Sequence, residues 1–167
     1  MSAPAPDAPQ LDVVAVDHIY VAVRDFDRSV AFYDRVMRLL GFKKGTSPIA
    51  GEPHAHYFNR VTQYTIRPAR GSERHDPYRP GLHHLCFRVP TPADVDAAAG
   101  ALQKVGVTAT PPRLYPEYAA DYYATFFTDP DGIRLEIVAL RSVRLLVQQH
   151  WDELREFEDP LKKAGLL

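Results

Sequence analysis

The chain has 167 residues, 46% of them hydrophobic, which is enough to bury the core of one domain or of two small units. Its 20 basic and 21 acidic residues give a net charge of −1 without a long run of like charges, so neither a nucleic acid nor a membrane surface is expected as a partner. The single cysteine, Cys86, excludes an internal disulfide and favours a reducing compartment, so the chain is expected in the cytoplasm.

The first half of the chain predicts a strand, a helix and three further strands. Residues 1–12, rich in Ala and Pro, are expected to form a disordered leader rather than a signal peptide. Asp25 is a candidate N-cap for a helix with one apolar side, and Gly41 stands where a helix commonly ends. The first module, residues 13–67, contains predicted strands at 13–23, 42–49, 55–58 and 61–67 and a helix at 26–40.

The second half repeats this order after a polar, turn-rich linker at residues 68–80. Thr91 is a candidate N-cap with Asp94 three residues later, and the sequence from Asp129 to Gly132 is a strong turn signal. The second module, residues 81–140, contains predicted strands at 81–89, 107–114, 121–128 and 133–140 and a helix that ends at Gly106. Residues 141–167 add an amphipathic helix over 142–157 and a tail, both outside the repeat.

Two βαβββ modules predict an α+β fold. Each module leaves one face of its sheet uncovered by its own helix, so two modules can join edge to edge into a curved mixed sheet. We therefore expect a half-barrel with helices outside and a polar concave side. The C-terminal helix is expected to pack on this body or on a partner subunit.

Strand parity places three residues of metal-ligating type on the concave side. In each of the three strands concerned, apolar residues alternate with polar ones and are expected to face the helices. This assigns His18, His84 and Glu136 to the concave side, and it assigns His83 to a structural position behind the sheet. His18 and His84 are also equivalent positions of the two modules, so a pseudo-twofold axis would bring them together.

Two imidazoles and one carboxylate form a typical ligand set for a divalent metal ion, with positions left open for water or substrate. Zinc, nickel, manganese or cobalt in such a site could act as a Lewis acid on a substrate oxygen. With Fe(II), the same set supports oxygen activation. The bound partner is in either case expected to be a small molecule.

The sequence resembles the vicinal oxygen chelate superfamily, which includes glyoxalases, bleomycin resistance proteins and extradiol dioxygenases. The stretches that carry the resemblance are DHIYVAVRDFDRSVAFYDRVMRLLGF, GLHHLCFRVPTPADVDAAAGALQKVGV and FFTDPDGIRLEIV, within residues 14–140. The resemblance implies paired βαβββ modules, a divalent metal held by His18, His84 and Glu136, and a homodimer.

The resemblance does not fix the reaction, because family members often have a fourth ligand on the last strand of the first module. Counting back from the strand end favours Tyr64, whereas parity places Tyr64 towards the helix and favours Gln63. With Gln63 the set resembles that of isomerase- and epimerase-type members, so a lyase or isomerase that polarises vicinal oxygens is the leading hypothesis. Without it the set resembles that of Fe(II) extradiol dioxygenases or thiol-transferring resistance proteins. A drug-binding resistance protein without turnover is a further alternative.

Two residues are candidates for acid–base catalysis. His56 precedes the strand of Gln63, and an unperturbed imidazole titrates near pH ~6.5, so it could shuttle a proton. Tyr123 is the candidate for donating a phenolic proton, although parity allows either Tyr122 or Tyr123, and not both, to face inward.

Three residues are candidates for substrate binding. Tyr115 belongs to a group of tyrosines between the last strands of the second module and could stack on an aromatic substrate. Arg88 and Arg134 have inward parity and could bind a substrate carboxylate.

Overall fold

The computed structural model describes residues 13–167, and the leader predicted at residues 1–12 lies outside the described residues. The chain divides into two compact units between Ser72 and Glu73, inside the predicted linker. Along the described part of the chain, no helix is both long enough and apolar enough to cross a membrane.

The first unit has the predicted βαβββ order. It consists of β1 (His18–Val23), α1 (Phe26–Leu39), β2 (Lys43–Ile49), β3 (Glu52–Phe58) and β4 (Gln63–Pro68). The four strands form one mixed sheet in the order β1-β4-β3-β2. The first strand is parallel to the last, and the other pairs are antiparallel.

The second unit repeats this topology. It consists of β5 (His84–Val89), α2 (Pro92–Lys104), β6 (Arg113–Leu114), β7 (Tyr123–Thr128) and β8 (Arg134–Ala139). Its sheet order is β5-β8-β7-β6, with β5 parallel to β8. The prediction of an α+β fold built from two βαβββ modules is therefore confirmed.

Local side chains fix where the two long helices begin. At α1, the Asp25 carboxylate accepts a hydrogen bond from the backbone N–H of Arg28 at 3.0 Å. At α2, Thr91 and Asp94 form a reciprocal capping box, in which each side chain accepts from the backbone N–H of the other residue. These bonds satisfy N–H groups that have no partner inside the helix.

The capping box allows a test of local stability. Replacing Thr91 with Ala should lower the free energy of unfolding by about 1 kcal/mol, because the helix start loses the Thr91 hydroxyl that accepts from the Asp94 N–H. Urea denaturation measures this change. Thr46, an exposed residue of β2, is a matched control whose replacement with Ala should cost less than about 0.5 kcal/mol. Equal losses in the two variants would contradict the prediction.

Each helix covers one face of its own sheet. In β8, Leu135 and Ile137 are fully buried, as strand parity predicts for residues that face a helix. In β4, Tyr64 is buried as well, and its hydroxyl lies 2.8 Å from the hydroxyl of Tyr33 on α1. The opposite face of each sheet carries the polar residues that the sequence assigns to the site.

The strand predicted at 107–114 differs most from its expected length. It is reduced to the two residues of β6 and an isolated bridge between Ala109 and Phe127. Pro111 and Pro112 interrupt it, because proline has no backbone N–H to donate to a neighbouring strand.

The helix predicted at 142–157 is also shorter than expected. α3 covers Ser142–Gln149, and His150 is its C-cap. A 3-10 turn (Trp151–Glu153) and a short helix, α4 (Pro160–Lys163), follow. None of the residues of α3 is buried, so tertiary packing does not extend the helix along its predicted apolar side.

Candidate functional site

The second unit brings two of the predicted metal ligands together. Glu136 lies in the middle of β8 and is 1% exposed, whereas His84 begins β5 and is exposed. Nε2 of His84 lies 3.5 Å from Oε2 of Glu136. A nearly buried carboxylate thus faces an accessible imidazole.

The spacing of this pair suits two ligands of one divalent ion. Two donors that each bind at about 2.1 Å lie about 3.0 Å apart at a right angle and about 3.4 Å apart at a tetrahedral angle. The 3.5 Å between His84 and Glu136 is close to the tetrahedral value and about 0.5 Å longer than the right-angle value. Imidazole and carboxylate together suit zinc, manganese or Fe(II). The two residues therefore fit a metal ion without a change of backbone.

The other oxygen of the carboxylate accepts a hydrogen bond from a tyrosine. The hydroxyl of Tyr122 donates a hydrogen bond of 2.6 Å to Oε1 of Glu136. Burial, together with this hydrogen bond, raises the pKa of Tyr122 above its ordinary value, so the phenol stays protonated at neutral pH. The bond fixes the orientation of Glu136 and leaves Oε2 on the side of His84.

Tyr122, rather than Tyr123, lies on the face of Glu136. The hydroxyl of Tyr123 donates to Oδ1 of Asp96 on α2 at 2.8 Å, so Tyr123 lies on the helix side of the sheet. Successive residues of a strand point to opposite faces, which puts Tyr122 on the face of Glu136. The choice of Tyr123 is therefore corrected.

His83 also differs from its prediction. β5 begins at His84, so strand alternation does not extend back to His83, which is exposed rather than packed behind the sheet. Nδ1 of His83 lies 2.7 Å from Nδ1 of His84, and its ring makes an edge contact with Tyr78. His83 thus contacts the candidate ligand directly.

A cavity of about 870 Å³ lies over this face of the second unit. It falls within the ~300–1,000 Å³ common for small-molecule sites. Aromatic rings dominate its wall, and His84, Glu136 and Arg134 supply charged and polar groups. The remaining lining residues are His83, Thr108, Ala109, Thr110, Tyr115, Tyr118, Tyr122, Phe126, Phe127 and Thr128.

Two of the three predicted substrate-binding residues line the cavity. Tyr115 is buried and lines the cavity. Arg134 lines it too, and its guanidinium donates to the hydroxyl of Tyr78 at 3.2 Å. Arg88 is exposed in β5 and is not among the residues that line the cavity. Tyr115 and Arg134 therefore fit the predicted role better than Arg88 does.

The first unit carries the other predicted ligands on one face of its sheet. His18 pairs in register with Gln63, and cross-strand partners point to the same face. Tyr64 lies on the opposite face against α1, in agreement with the parity argument. Nδ1 of His18 lies 2.8 Å from an oxygen of Asp17, and the side chain of His18 is half exposed.

The registers of the two sheets show that Gln63 and Glu136 are not equivalent positions. His18 pairs with Gln63, whereas His84 pairs with Arg134, and Glu136 lies two residues further along β8. The residue of the first unit at the position of Glu136 is therefore Thr65, which the sequence did not single out. The amide of Gln63 donates to the hydroxyl of Thr65 at 2.9 Å.

His56, the predicted proton shuttle, lies on this same face of the first unit. Its Nδ1 is 3.0 Å from the hydroxyl of Thr65, and its Nε2 is 2.9 Å from the hydroxyl of Ser47. Burial, followed by the nearby His54, lowers the pKa of His56, so its ring is neutral at pH 7. Both ring nitrogens are engaged, so proton transfer to a substrate requires one of these hydrogen bonds to exchange.

The structure thus brings His84 and Glu136 together and places His18 and Gln63 in the other unit. Over residues 13–167, no three His, Cys, Asp or Glu side chains are grouped as a complete metal site. The pair in the second unit supplies part of the predicted set.

Comparison with known proteins identifies relatives of the whole two-module region. Residues 15–137 match the Glyoxalase/Bleomycin resistance protein/Dioxygenase superfamily. The chain is 31% identical over 140 residues to the uncharacterized protein YaeR of Escherichia coli (strain K12), which covers 76% of this chain and 97% of that protein.

Solved structures share the fold. The glyoxylase/bleomycin resistance protein/dioxygenase domain from Frankia sp. EAN1pec has a TM-score of 0.64 and 28% identity, covering 78% of this chain and 100% of that chain. A mutant of the fosfomycin resistance protein FosX from Listeria monocytogenes, complexed with Mn(II) and 1S,2S-dihydroxypropylphosphonic acid, has a TM-score of 0.59. It covers 81% of this chain and 98% of its own, and at 17% identity the likeness is one of fold alone.

Proposed function

Because the chain belongs to the glyoxalase/bleomycin resistance protein/dioxygenase superfamily, we propose that it is a divalent-metal-dependent enzyme of lyase or isomerase type. It would polarise two neighbouring oxygens of a small-molecule substrate. The observation that carries the proposal is the nearly buried carboxylate of Glu136, which lies 3.5 Å from the imidazole of His84 on the wall of a cavity. A buried carboxylate is costly unless a cation or hydrogen bonds compensate it.

In this proposal His18, His84 and Glu136 hold the ion. His18 is included because it begins the first strand of its unit, as His84 does in the other, and because its side chain is accessible. The bound ion would supply a Lewis acid for the substrate oxygens. Tyr122 holds Glu136 in position, and Arg134 offers a positive charge to an anionic substrate group.

A second candidate function, an Fe(II) extradiol dioxygenase, is favoured by two observations. The cavity wall is rich in aromatic rings, which suits a catechol ring. Thr65, rather than a strong ligand, stands at the position of Glu136 in the first unit, which agrees with a set of three protein ligands.

Metal analysis of protein purified without chelator tests the proposal. We expect about one divalent ion per chain, since the ligand set is that of a mononuclear site. An oxygen electrode with catechol separates the two candidates, because oxygen consumption by iron-loaded protein would contradict the lyase or isomerase assignment. Protein that binds none of zinc, nickel, manganese, cobalt or Fe(II) would contradict both. A native mass measurement on the same sample tests the homodimer expected from the family.

A further inference from the structure

One wall of the cavity is built from four aromatic rings in contact with one another. Tyr115 and Tyr118 are stacked, with ring centroids 5.8 Å apart and planes inclined by 13°. Phe126 meets Tyr115 edge-on at 5.1 Å, and Tyr122 meets Tyr118 edge-on at 5.2 Å. Together the four residues form a continuous aromatic wall.

Two arginines hold this aromatic wall in place. The guanidinium of Arg113 lies 3.7 Å from the centroid of Tyr115, and that of Arg141 lies 5.1 Å from the centroid of Tyr122. Such contacts between a cation and a ring stabilise the orientation of the ring. Tyr122 is further fixed by its hydrogen bond to Glu136. The wall is therefore ordered before a ligand binds.

The cavity also has a polar part. His84 and Glu136 lie at 3.5 Å from each other among the lining residues, and Arg134 lines the same cavity. Tyr122 joins the two parts, since its ring belongs to the aromatic wall and its hydroxyl binds Glu136. A ligand that fills the cavity therefore meets flat apolar surfaces and a polar group together.

We infer that the substrate carries an aromatic ring next to its pair of adjacent oxygens. The ring packs on the wall of Tyr115, Tyr118, Tyr122 and Phe126, and the oxygens lie towards His84 and Glu136. The placement of the oxygens rests on the proposed function, whereas the placement of the ring rests on the aromatic wall alone. Aromatic pairs in offset or edge-on contact gain binding free energy beyond that of the buried area.

Three 2-oxo acids that differ only in their side group test the inference. Phenylglyoxylate, cyclohexylglyoxylate and pyruvate share the same adjacent oxygens, and isothermal titration calorimetry gives their Kd values for Mn(II)-loaded and metal-depleted protein. We expect phenylglyoxylate to bind at least about tenfold more tightly than pyruvate and at least about threefold more tightly than cyclohexylglyoxylate. Equal Kd values, or no measurable binding of phenylglyoxylate to either form, would overturn the inference.

Variants of the wall locate the effect. Tyr118 is 62% exposed, so its replacement with Ala should leave the fold intact. The same replacement should reduce the preference for phenylglyoxylate over pyruvate from about tenfold to less than about threefold. Phe126→Leu, which keeps an apolar side chain, should reduce the preference as well. Phe157, which is 98% exposed and does not line the cavity, is the control, and Phe157→Ala should leave the preference unchanged. A preference that survives both wall variants would contradict the inference.

The same titrations separate this inference from the proposed function. Protein that binds no divalent ion but still prefers phenylglyoxylate would contradict the metal-dependent function and support the aromatic wall. Protein that binds Mn(II) but gives equal Kd values for the three acids would contradict the aromatic substrate alone.

Discussion

Replacing Glu136 with Gln is expected to lower the affinity for Mn(II) by more than about 100-fold. Loss of an outer partner of a metal ligand costs roughly 10- to 100-fold, and the loss of a charged ligand should exceed that range. The side chain is 1% exposed, and its oxygens face the hydroxyl of Tyr122 and the imidazole of His84. The substitution keeps the shape of the side chain and an oxygen that can accept from Tyr122, so it removes the charge with little effect on packing.

Calorimetric titration with Mn(II) measures this change, and circular dichroism checks that the fold is retained. Glu153→Gln is the matched control, because Glu153 is an exposed carboxylate that lies 3.1 Å from His150, outside the cavity. The control variant should bind Mn(II) as the unmodified protein does. If Glu136→Gln kept its affinity for Mn(II) within about threefold, Glu136 would not be a ligand. The contact between Glu136 and His84 would then no longer support the proposed function.

The repeat, and the shared face of His84 and Glu136, could be predicted because they depend on the local alternation of apolar and polar residues. In β5 and β8 the apolar residues face α2, so parity assigns His84 and Glu136 to the same face without knowledge of the rest of the chain. The helix starts were equally local, since the Thr91 capping box involves residues three positions apart.

Other features depend on where a strand begins, which alternation does not fix. Tyr122 precedes β7, and the bonds from Tyr122 to Glu136 and from Tyr123 to Asp96 decide which tyrosine shares the face of Glu136. His83 likewise precedes β5, so its predicted side was wrong. Boundaries of strands are set by contacts distant in sequence, and a shift of one residue reverses the side of every residue.

The position of Thr65 was missed for a related reason, which lies in the predicted ends of the last strands. The sequence predicts that these strands end at residues 67 and 140, whereas β4 and β8 end at the equivalent positions Pro68 and Ala139. Counting from the predicted ends therefore does not align the two modules. The paired registers do align them, since they are counted from the equivalent histidines.

Replacing His18 with Ala is expected to lower the affinity for Mn(II) by more than about 100-fold, whereas Gln63→Ala should lower it by less than about tenfold. His18 stands at the position that His84 holds in the other unit, so in the proposed site it is a direct ligand. Gln63 stands at the position of Arg134, and its amide already donates to Thr65. Its loss should therefore disturb the site without removing a ligand.

The ratio of the two losses of Mn(II) affinity decides how many coordination positions of the ion remain for the substrate. His150→Ala serves as the control for loss of an accessible histidine, because His150 lies at the end of α3 and contacts Glu153. Equal losses for His18→Ala and Gln63→Ala would establish a fourth protein ligand and favour the isomerase-type set. A small loss for both would leave His84 and Glu136 without a partner from the first unit. The expected large ratio leaves the ion with three protein ligands, so both oxygens of a substrate can bind it together. That result would remove the support that Gln63 gives to the isomerase-type set, and the oxygen electrode would then decide between the two candidate functions.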